Sequence, residues 1–432
     1  MRSRTALILV CTTAWGCVEG TVTGTGMEDP DAGGEVDAGT IAASPDAGAP
    51  PVGSDAGSID PPAPDAAPAD AGADAGEACI LAPTLDLETM HAAYVASYAG
   101  DMESQARSGD SYDYYAMSYH LHGMLSAIEA TGDTVELARV ASLIDTALGT
   151  AVDHDGDGYR EWEPYDDRGN GIQLGTWQME SAVMRAAALV RTTPAFRELH
   201  DDAATRWIAF VHDDVVERWY VDVYDHEIPY VEWSGGSRWW SDKATHFLTI
   251  MVFLYQATGD TFYREVAVRG AEAFRRGLHE AGTAWSWSDD AALLGVSGNE
   301  AGVPDTSHAN REPMWMVFSY EAGIVFTRDD VERMAATLTD VIWNGSLDDP
   351  RYTNYIDGSN LPYRGVEAWA NGIVYHGWAL VGRYSEDAQR ALEHTLGAIE
   401  AGVRNPSLTR NGSSYGRVAL SGHLLRNTAA CR

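Results

Sequence analysis

The segment PDTSHANREP (residues 304–313) concentrates side chains that can transfer protons and bind polar ligands. Asp305, His308, Asn310 and Arg311 stand there directly before the apolar run MWMVFSY. Histidine acts as an acid or a base near neutral pH, because its unperturbed pKa is about 6.5. Arginine offers a planar pair of donors to a carboxylate. We therefore expect His308 and Arg311 to act on a substrate, with Asn310 assisting and Asp305 mainly orienting them; a helix cap is the structural alternative.

Other apolar segments that contain isolated polar residues extend this candidate cluster. If these segments are buried helices around a common axis, their polar side chains meet near that axis. The additional catalytic candidates are Tyr375, Glu180 and His246. The candidates for substrate binding in the same segments are Gln178, Asn371, His376 and His122. Each of these histidines, taken alone, fits a satisfied core residue as well as a functional one.

Two long loops are rich in tryptophan, in the stretches WYVDVYDHEIPYVEWSGGSRWW and WSWSDD. Indole rings stack on the C–H faces of sugar rings, and many exposed aromatic side chains indicate a binding surface. The candidates for substrate binding in these loops are Trp233, Trp239, Trp240, Trp285 and Trp287. The alternative is that these side chains anchor the loops to the body of the protein.

The stretch DHDGDGYREWEP resembles the start of a calcium-binding loop. Asp153, Asp155 and Asp157 alternate, and Gly158 follows at the position of the sharp turn. The closing glutamate of such a loop is replaced by Pro164. A partial, structural calcium site is therefore possible on sequence grounds, and a polar turn is the default. We expect no required cofactor, because the histidines lack the spacing of a zinc site.

The N-terminal region differs in composition from the rest of the chain. Residues 1–17 (MRSRTALILVCTTAWGC) have the pattern of a secretory signal, in which Cys17 is the candidate lipidated residue of an exported, cell-envelope lipoprotein. The alternative is ordinary cleavage after Gly16, which gives a secreted protein. Residues 18–78 contain 13 acidic residues and no Lys, Arg, Phe, Trp or Tyr, which predicts a disordered linker. Residues 79–432 form the globular domain, and a lipid anchor would be its only membrane attachment.

Twelve helices are predicted in this domain, at 86–107, 113–131, 133–150, 174–192, 194–217, 239–258, 260–281, 306–326, 328–343, 367–384, 386–403 and 415–428. Short turns such as ATGDT recur at intervals of about 60 residues, which indicates repeated helical hairpins. Helices that are apolar nearly all round alternate along the chain with amphipathic helices. This is expected of a buried inner layer and a half-exposed outer layer. The pattern predicts an all-α (α/α)6 toroid with long aromatic-rich loops at one rim; a tandem helical solenoid is the alternative.

This architecture resembles the six-hairpin toroids of polysaccharide lyases, uronate epimerases and several glycoside hydrolases. The resemblance covers residues 79–431 and implies a polysaccharide or oligosaccharide substrate, and it assigns no catalytic residue. β-Elimination of a uronic-acid glycan is slightly favoured, with Arg311 holding the substrate carboxylate and a His or Tyr as base. Hydrolysis by a carboxylate pair from Glu161, Glu180, Asp242 or Asp305 is one alternative, and a non-catalytic glycan-binding protein is another.

The net charge of the chain indicates which partners it can bind. The whole chain has a formal net charge of −35. Residues 1–17 contribute +2 and residues 18–78 contribute −13, so the globular domain has a net charge of −24. Long-range repulsion disfavours nucleic acid and weakens the case for a polyanionic glycan. We expect a monomer.

The first prediction concerns Cys79 and Cys431, which stand at the two ends of the globular domain. In an oxidising compartment we expect them to form a disulfide bond, which a closed ring of helices would permit. Titration of free thiols in the folded, unreduced protein should then find neither cysteine reactive. Two reactive thiols in the domain would show that the bond does not form.

Overall fold

The computed structural model of the chain describes residues 85–97, 102–162, 171–224, 231–233, 236–238, 241–288, 302–363 and 365–430, together with an antiparallel pair of strands, β1 (Ala6–Val10) and β2 (Val18–Val22). The chain divides into two compact units, Met1–Ala63 and Pro64–Arg432. Cys17, Cys79 and Cys431 lie outside the described residues, so the lipid anchor and the disulfide stay predictions. No helix among the described residues is long and apolar enough to span a membrane.

The second unit is built from helices that follow one another along the chain. In chain order they are α1 (Leu87–Ser97), α2 (Met102–Gln105), α3 (Ser111–Thr131), α4 (Thr134–Leu148), α5 (Gly171–Thr192), α6 (Pro194–Val211), α7 (Glu217–Tyr224), α8 (Ser241–Thr258), α9 (Thr261–Gly277), α10 (Arg311–Glu321), α11 (Arg328–Ala336), α12 (Gly377–Leu380), α13 (Glu386–Glu400), α14 (Pro406–Asn411) and α15 (Ser414–Ala429). Two short antiparallel hairpins accompany them, β3 (Val231–Trp233) with β4 (Gly236–Arg238), and β5 (His279–Ala281) with β6 (Ala284–Ser286).

Six of these helices form a closed inner ring. Helix α3 packs against α5, α5 against α8, α8 against α10, α10 against α12, α12 against α15, and α15 returns to α3. Outside this ring, α4, α6, α9, α11 and α13 each pack on the inner helix that precedes them, and α1 packs on α15. The second unit is therefore an (α/α)6 toroid, which confirms the predicted fold class.

Short turns join each inner helix to the outer helix that follows it, and capping residues define where the outer helix begins. Asp133 accepts hydrogen bonds from the N–H groups of Val135 and Glu136, and Asp260 accepts one from Phe262. Thr327 and Asp330 form a reciprocal capping box. These caps satisfy amide groups that a helix start leaves without partners. All short turns therefore lie at the C-terminal ends of the inner helices, and the long connections lead to the opposite end, which we call the mouth.

The closed end, opposite the mouth, is tied by ion pairs between four inner helices. Arg426 of α15 contacts Glu129 of α3 at 2.8 Å and Glu321 of α10 at 2.7 Å. Arg185 of α5 lies 3.2 Å from Glu129 and donates to the Ser126 hydroxyl at 2.7 Å. Because both arginines are nearly buried, removal of one partner would leave an uncompensated charge.

The predicted helix at 367–384 is wrong over most of its length. Helix α12 covers only Gly377–Leu380, and a 3-10 turn, Val381–Tyr384, follows it. Side-chain amides take the backbone hydrogen bonds before it: Asn411 accepts from the N–H of Val374 at 2.8 Å and donates to the carbonyl of Gly372 at 2.9 Å. Side chains thus replace the helical ladder.

Other predicted boundaries also shift. The helix predicted at 306–326 begins with a 3-10 turn, His308–Asn310, before α10. The helices predicted at 194–217 and 328–343 end in π-helical turns, His212–Val216 and Thr337–Ile342. Helix α14 was not predicted.

Closure of the ring brings α3 and α15 into backbone contact at Gly123 and Gly422. A Cβ atom on Gly422 would lie 2.1 Å from the carbonyl oxygen of Gly123. Gly422→Ala should therefore force the two helices apart and lower the free energy of unfolding by about 2–4 kcal/mol. Urea unfolding followed by circular dichroism measures this change.

Gly397→Ala in the outer helix α13 is the matched control. A Cβ atom there would meet nothing within 4 Å, so the substitution should leave stability unchanged or raise it by about 0.5–1 kcal/mol. Equal effects of the two substitutions would contradict the assigned role of the α3–α15 contact.

Candidate functional site

The mouth is organised around the guanidinium group of Arg311, in the first turn of α10. Its Nε donates to Nε2 of His246 on α8 at 3.0 Å, and its NH2 donates to the hydroxyl of Tyr115 on α3 at 3.0 Å. Its NH1 lies 3.4 Å from the carbonyl oxygen of His308. Arg311 is only 1% exposed. It therefore holds three inner helices together and does not present its donors to a ligand.

Asp305 and His308 form a hydrogen-bonded pair beside Arg311. The Nδ1 atom of His308 lies 2.6 Å from Oδ2 of Asp305. The other carboxylate oxygen accepts from the side chain of Asn371 at 2.6 Å and from the N–H groups of Ser307 and His308 at 3.1 Å. Burial would raise the pKa of Asp305, but His308 and these hydrogen bonds outweigh it and hold the pKa below its usual value. Asp305 is therefore an anion held by four donors.

The ionised Asp305 fixes the orientation and the tautomer of His308. A proton on Nδ1 is held by the carboxylate, so the basic lone pair is on Nε2. The His308 side chain is 13% exposed, whereas that of Asp305 is 6% exposed. A buried carboxylate behind a partly accessible imidazole is the arrangement that stabilises an imidazolium ion during proton transfer. The pair can thus act as a general acid or base at the mouth.

A network of asparagine side chains supports the pair from behind. The side-chain oxygen of Asn354 accepts from the N–H of Asn371 at 2.9 Å. The main-chain carbonyl of Asn354 accepts from the N–H of Thr306 at 2.8 Å. Asn310 donates to the carbonyl of Ile373 at 2.8 Å and is 2% exposed. Asn310 and Asn371 therefore position the Asp305 loop rather than contact a ligand. Sequence reasoning did not find Asn354.

Tyrosine side chains surround the pair and the guanidinium group. The Tyr119 hydroxyl donates to the Tyr115 hydroxyl at 3.0 Å, and the Tyr363 hydroxyl lies 3.3 Å from Nδ1 of His308. Tyr375, predicted as a catalytic base, is buried and packs edge-on against Tyr119 with ring centroids 5.4 Å apart. Tyr115 and Tyr363 were not predicted; their only signal is the abundance of tyrosine in YDYYAMSYH and NLPYRG.

Buried histidines continue the polar column below the mouth. His376 packs against His122 with ring centroids 5.1 Å apart and against His423 at 5.8 Å. His122 lies 3.1 Å from the Ser181 hydroxyl. Burial, reinforced by the positive charge of Arg311, holds the pKa of His246 well below 6.5, so this ring is neutral and its Nε2 accepts from Arg311. His246 is thus a poor candidate for a base.

Gln178 and Glu180, both predicted at the site, lie on different faces of α5. Gln178 donates to the Ser118 hydroxyl at 2.8 Å and to the carbonyl of Tyr115 at 3.1 Å, next to the Arg311 cluster. Glu180 instead lies near Glu161, Asp214 and Arg218, and burial followed by the two carboxylates raises its pKa well above the usual range. A spacing of two residues turns a helical side chain by about 200°. The structure therefore separates Glu180 from His308 and Arg311.

The two described tryptophans of the predicted sugar-binding set anchor loops. Trp287 is 2% exposed and packs between Phe274 and Trp378, so it cannot stack on a ligand. Trp285 lies under the guanidinium group of Arg333, 4.1 Å from its ring centroid. The side chains of Trp233, Trp239 and Trp240 lie outside the described residues.

The aspartates of the predicted calcium loop come together. Carboxylate oxygens of Asp153, Asp155 and Asp157 lie within 4.8 Å of one another. Arg218 contacts two of them, Asp155 at 3.1 Å and Asp157 at 2.8 Å. Within the described part of the chain, the groups of three possible ligand residues this close together do not include His122, His246, His376 or His423.

Comparison with known proteins finds no matching family model and no matching curated protein. Solved structures of a GH76 α-1,6-mannanase from Salegentibacter sp. HEL1_6 do align. An inactive variant with α-1,6-mannotetrose gives a TM-score of 0.44 at 14% identity, over 74% of this chain and 89% of that chain. The structure of the enzyme itself gives a TM-score of 0.43 at 13% identity, over 77% of this chain and 99% of that chain. A second inactive variant, with α-1,6-mannotriose, gives a TM-score of 0.42 at 13% identity, over 77% of this chain and 99% of that chain.

The buried histidines predict acid sensitivity. Burial lowers the pKa of His120 to about 4, and burial with Arg311 and Arg185 lowers that of His376 to about 3. Below about pH 6.5 the unfolded chain binds protons that the folded chain excludes, so stability should fall with pH until these folded-state pKa values are reached. Each such histidine changes the free energy of unfolding by up to ~1.4 kcal/mol per pH unit.

Urea unfolding at a series of pH values between 7 and 5 measures this slope. His120→Leu should reduce it by about one histidine's share, because both ring nitrogens of His120 lack hydrogen-bond partners among the described residues. A slope that His120→Leu does not alter would contradict the assignment.

Proposed function

We propose that this chain is a carbohydrate-active enzyme that hydrolyses glycosidic bonds of a polysaccharide or oligosaccharide at the mouth of its ring. The Asp305–His308 pair carries this proposal. A binding cup requires stacking and hydrogen bonds, but it does not require a buried carboxylate with four donors behind a partly exposed imidazole. Such a pair is suited to proton transfer.

The state of Arg311 favours hydrolysis over β-elimination. Removal of the C5 proton of a uronate requires cationic or amide donors on the substrate carboxylate. Arg311, the sequence-based candidate for that role, is buried and bonded to His246 and Tyr115. The net charge of −24 on residues 79–432 further disfavours a polyanion. We therefore assign Arg311 as a positioning residue and expect a glycan with few carboxylates.

In the proposed reaction, Nε2 of His308 takes a proton from the attacking water, and Asp305 stabilises the imidazolium ion that forms. The water oxygen bonds to the anomeric carbon while the bond to the departing glycosidic oxygen breaks. A carboxylic acid must give that oxygen its proton. The structure argues against Asp305 for this role, because both of its oxygens are occupied, and against Glu161, whose carboxylate bonds to Arg218. Glu180 lies two residues from Gln178, on another face of α5 from the Arg311 cluster.

The remaining acids to test are identified by position in the sequence. Asp242 is the second residue of α8, and its side chain lies outside the described residues. Asp166 and Asp167 are adjacent to each other and precede the start of α5 at Gly171; they also lie outside the described residues. Replacement of each by Asn tests which one, if any, supplies the proton.

Incubation of the full chain with a panel of glycans tests the reaction type. The panel should include α-1,6-linked mannan, the substrate class named for the aligned mannanases, with other neutral glycans and uronic-acid polymers. Hydrolysis yields new reducing ends without ultraviolet absorbance, whereas β-elimination yields a C4–C5 double bond that absorbs. Absorbing products would overturn the proposed hydrolysis. Saturable binding without any product would favour the glycan-binding alternative.

On the substrate that is cleaved, His308→Ala should lower kcat by about 10²–10⁴ with the fold intact. Asp305→Asn should lower kcat by a comparable factor, because an amide has one acceptor oxygen: its NH2 group must face either the three donors now on Oδ1 or the Nδ1 of His308, where it reverses the tautomer. His200→Ala, on the outer helix α6, is the control. Unchanged kcat together with a lower melting temperature for His308→Ala would reduce the cluster to a structural cap.

Arg311→Lys distinguishes positioning from substrate binding. Lysine cannot reproduce the planar contacts with His246 and Tyr115. A positioning role predicts an equal fall in kcat on neutral and acidic glycans. A loss confined to acidic glycans would instead assign Arg311 to a substrate carboxylate.

A further inference from the structure

A loop that the proposed reaction does not use lies between α4 and α5 and closes on itself. Val152 and Glu161 form an antiparallel bridge, with an N–H···O distance of 2.9 Å in each direction. Gly156 and Gly158 have φ values of +79° and +95°, a region that favours glycine. The loop therefore returns at its ninth residue, Glu161, counting from Asp153.

This closure supplies a carboxylate that the sequence pattern lacked. In a twelve-residue calcium loop the bidentate glutamate stands at the last position, where this chain has Pro164. Here Glu161 stands at the point where the loop closes. The aspartates at the first, third and fifth positions, Asp153, Asp155 and Asp157, bring their oxygens within 4.8 Å of one another.

Glu161 provides an observation that is independent of the aspartate cluster. Its side chain is 2% exposed, and its Oε1 atom has no hydrogen-bond partner among the described residues. Its Oε2 atom bonds to Arg218, the same guanidinium group that contacts Asp155 and Asp157. Arg218 therefore links the Glu161 carboxylate to two of the aspartates. A buried carboxylate oxygen without a partner is costly, and a cation would satisfy it.

Among the described residues, the positive charge at the loop is also too small for the acids present. Arg160 is committed to Asp214, with contacts of 2.6 Å from its NH2 and 3.2 Å from its Nε. Arg218 is then the guanidinium group that faces Asp155, Asp157 and Glu161. One unit charge cannot neutralise these carboxylates together with the neighbouring Asp153.

We propose that residues 153–161 bind one calcium ion through Asp153, Asp155, Asp157 and Glu161, with the main-chain carbonyl of Tyr159 at the seventh position of the loop. Calcium accepts six to eight oxygen ligands in a flexible arrangement, whereas magnesium requires near-octahedral geometry. The ion takes the place of the Arg218 guanidinium group, which moves off the acids. The site is separate from the Asp305–His308 pair and does not depend on the proposed reaction.

Terbium luminescence and thermal unfolding of the full chain, stripped with a chelator, test the site. Tyr159 and Trp162 are close enough in sequence to sensitise a bound terbium ion, and calcium should displace it with one site per chain. Millimolar calcium should raise the melting temperature by about 3 °C or more, and magnesium should raise it less. No displaceable luminescence and no shift with calcium would overturn the proposal.

Asp157→Asn removes one ligand charge while keeping an oxygen that can accept from the N–H of Tyr159, now 2.9 Å from Asp157. It should abolish the calcium-dependent shift. Asp357→Asn is the matched control, because Asp357 is also exposed and accepts from the N–H of Ser359 at 2.8 Å in a turn elsewhere. Equal responses of the two variants would also overturn the site.

Arg218→Gln tests whether the guanidinium group competes with the ion. Loss of the competitor should raise the affinity for calcium by about tenfold or more. Calcium binding by this variant with none by the parent chain would mean that Arg218 is the permanent counter-ion and that the parent has no calcium site.

Discussion

Three pairs of inner helices approach so closely that a Cβ atom would not fit between them. Gly422 lies against Gly123, Gly175 lies against Ser111, and Gly377 lies against Asn310. The last two contacts lie at the mouth, where the N-terminal parts of neighbouring inner helices meet. Arg311 of α10 bonds to His246 of α8 and to Tyr115 of α3 within the same end of the ring. Glycine at the three contacts lets neighbouring inner helices approach at backbone distance.

Polarity is layered along the axis of the ring. At the mouth, Asp305 is an anion stabilised by hydrogen-bond donors, one of which is His308. In the middle, His122 and His376 are kept neutral, first of all by burial. At the closed end, Glu129, Arg426 and Glu321 form complete ion pairs. Because each layer satisfies its charges locally, the ring can hold many polar groups in its interior.

The fold was more predictable from the sequence than the site. Short turns with Asp, Thr or Ser caps are local signals, and they correctly located the hairpins and the inner and outer layers. The helix predicted at 367–384 failed because two asparagines take its backbone hydrogen bonds: Asn411, 37 residues from Val374, and Asn310, 63 residues from Ile373. Local propensity contains no information about such long-range partners.

Within the candidate site, the sequence indicated which polar residues lie near one another but not their accessibility. Asp305 and His308 are three residues apart, and the structure brings them into contact. Residue type alone could not reveal that Arg311 is buried or that Trp287 packs in the core. The chain ends of the ring domain also meet: Thr428 donates to the sulfur of Met90 at 3.2 Å, and the N–H of Leu85 bonds to Glu393 at 3.2 Å. Chain order is therefore not essential to the ring, and a circular permutant that joins these ends and opens at the Gly259 turn would preserve every inner-helix contact.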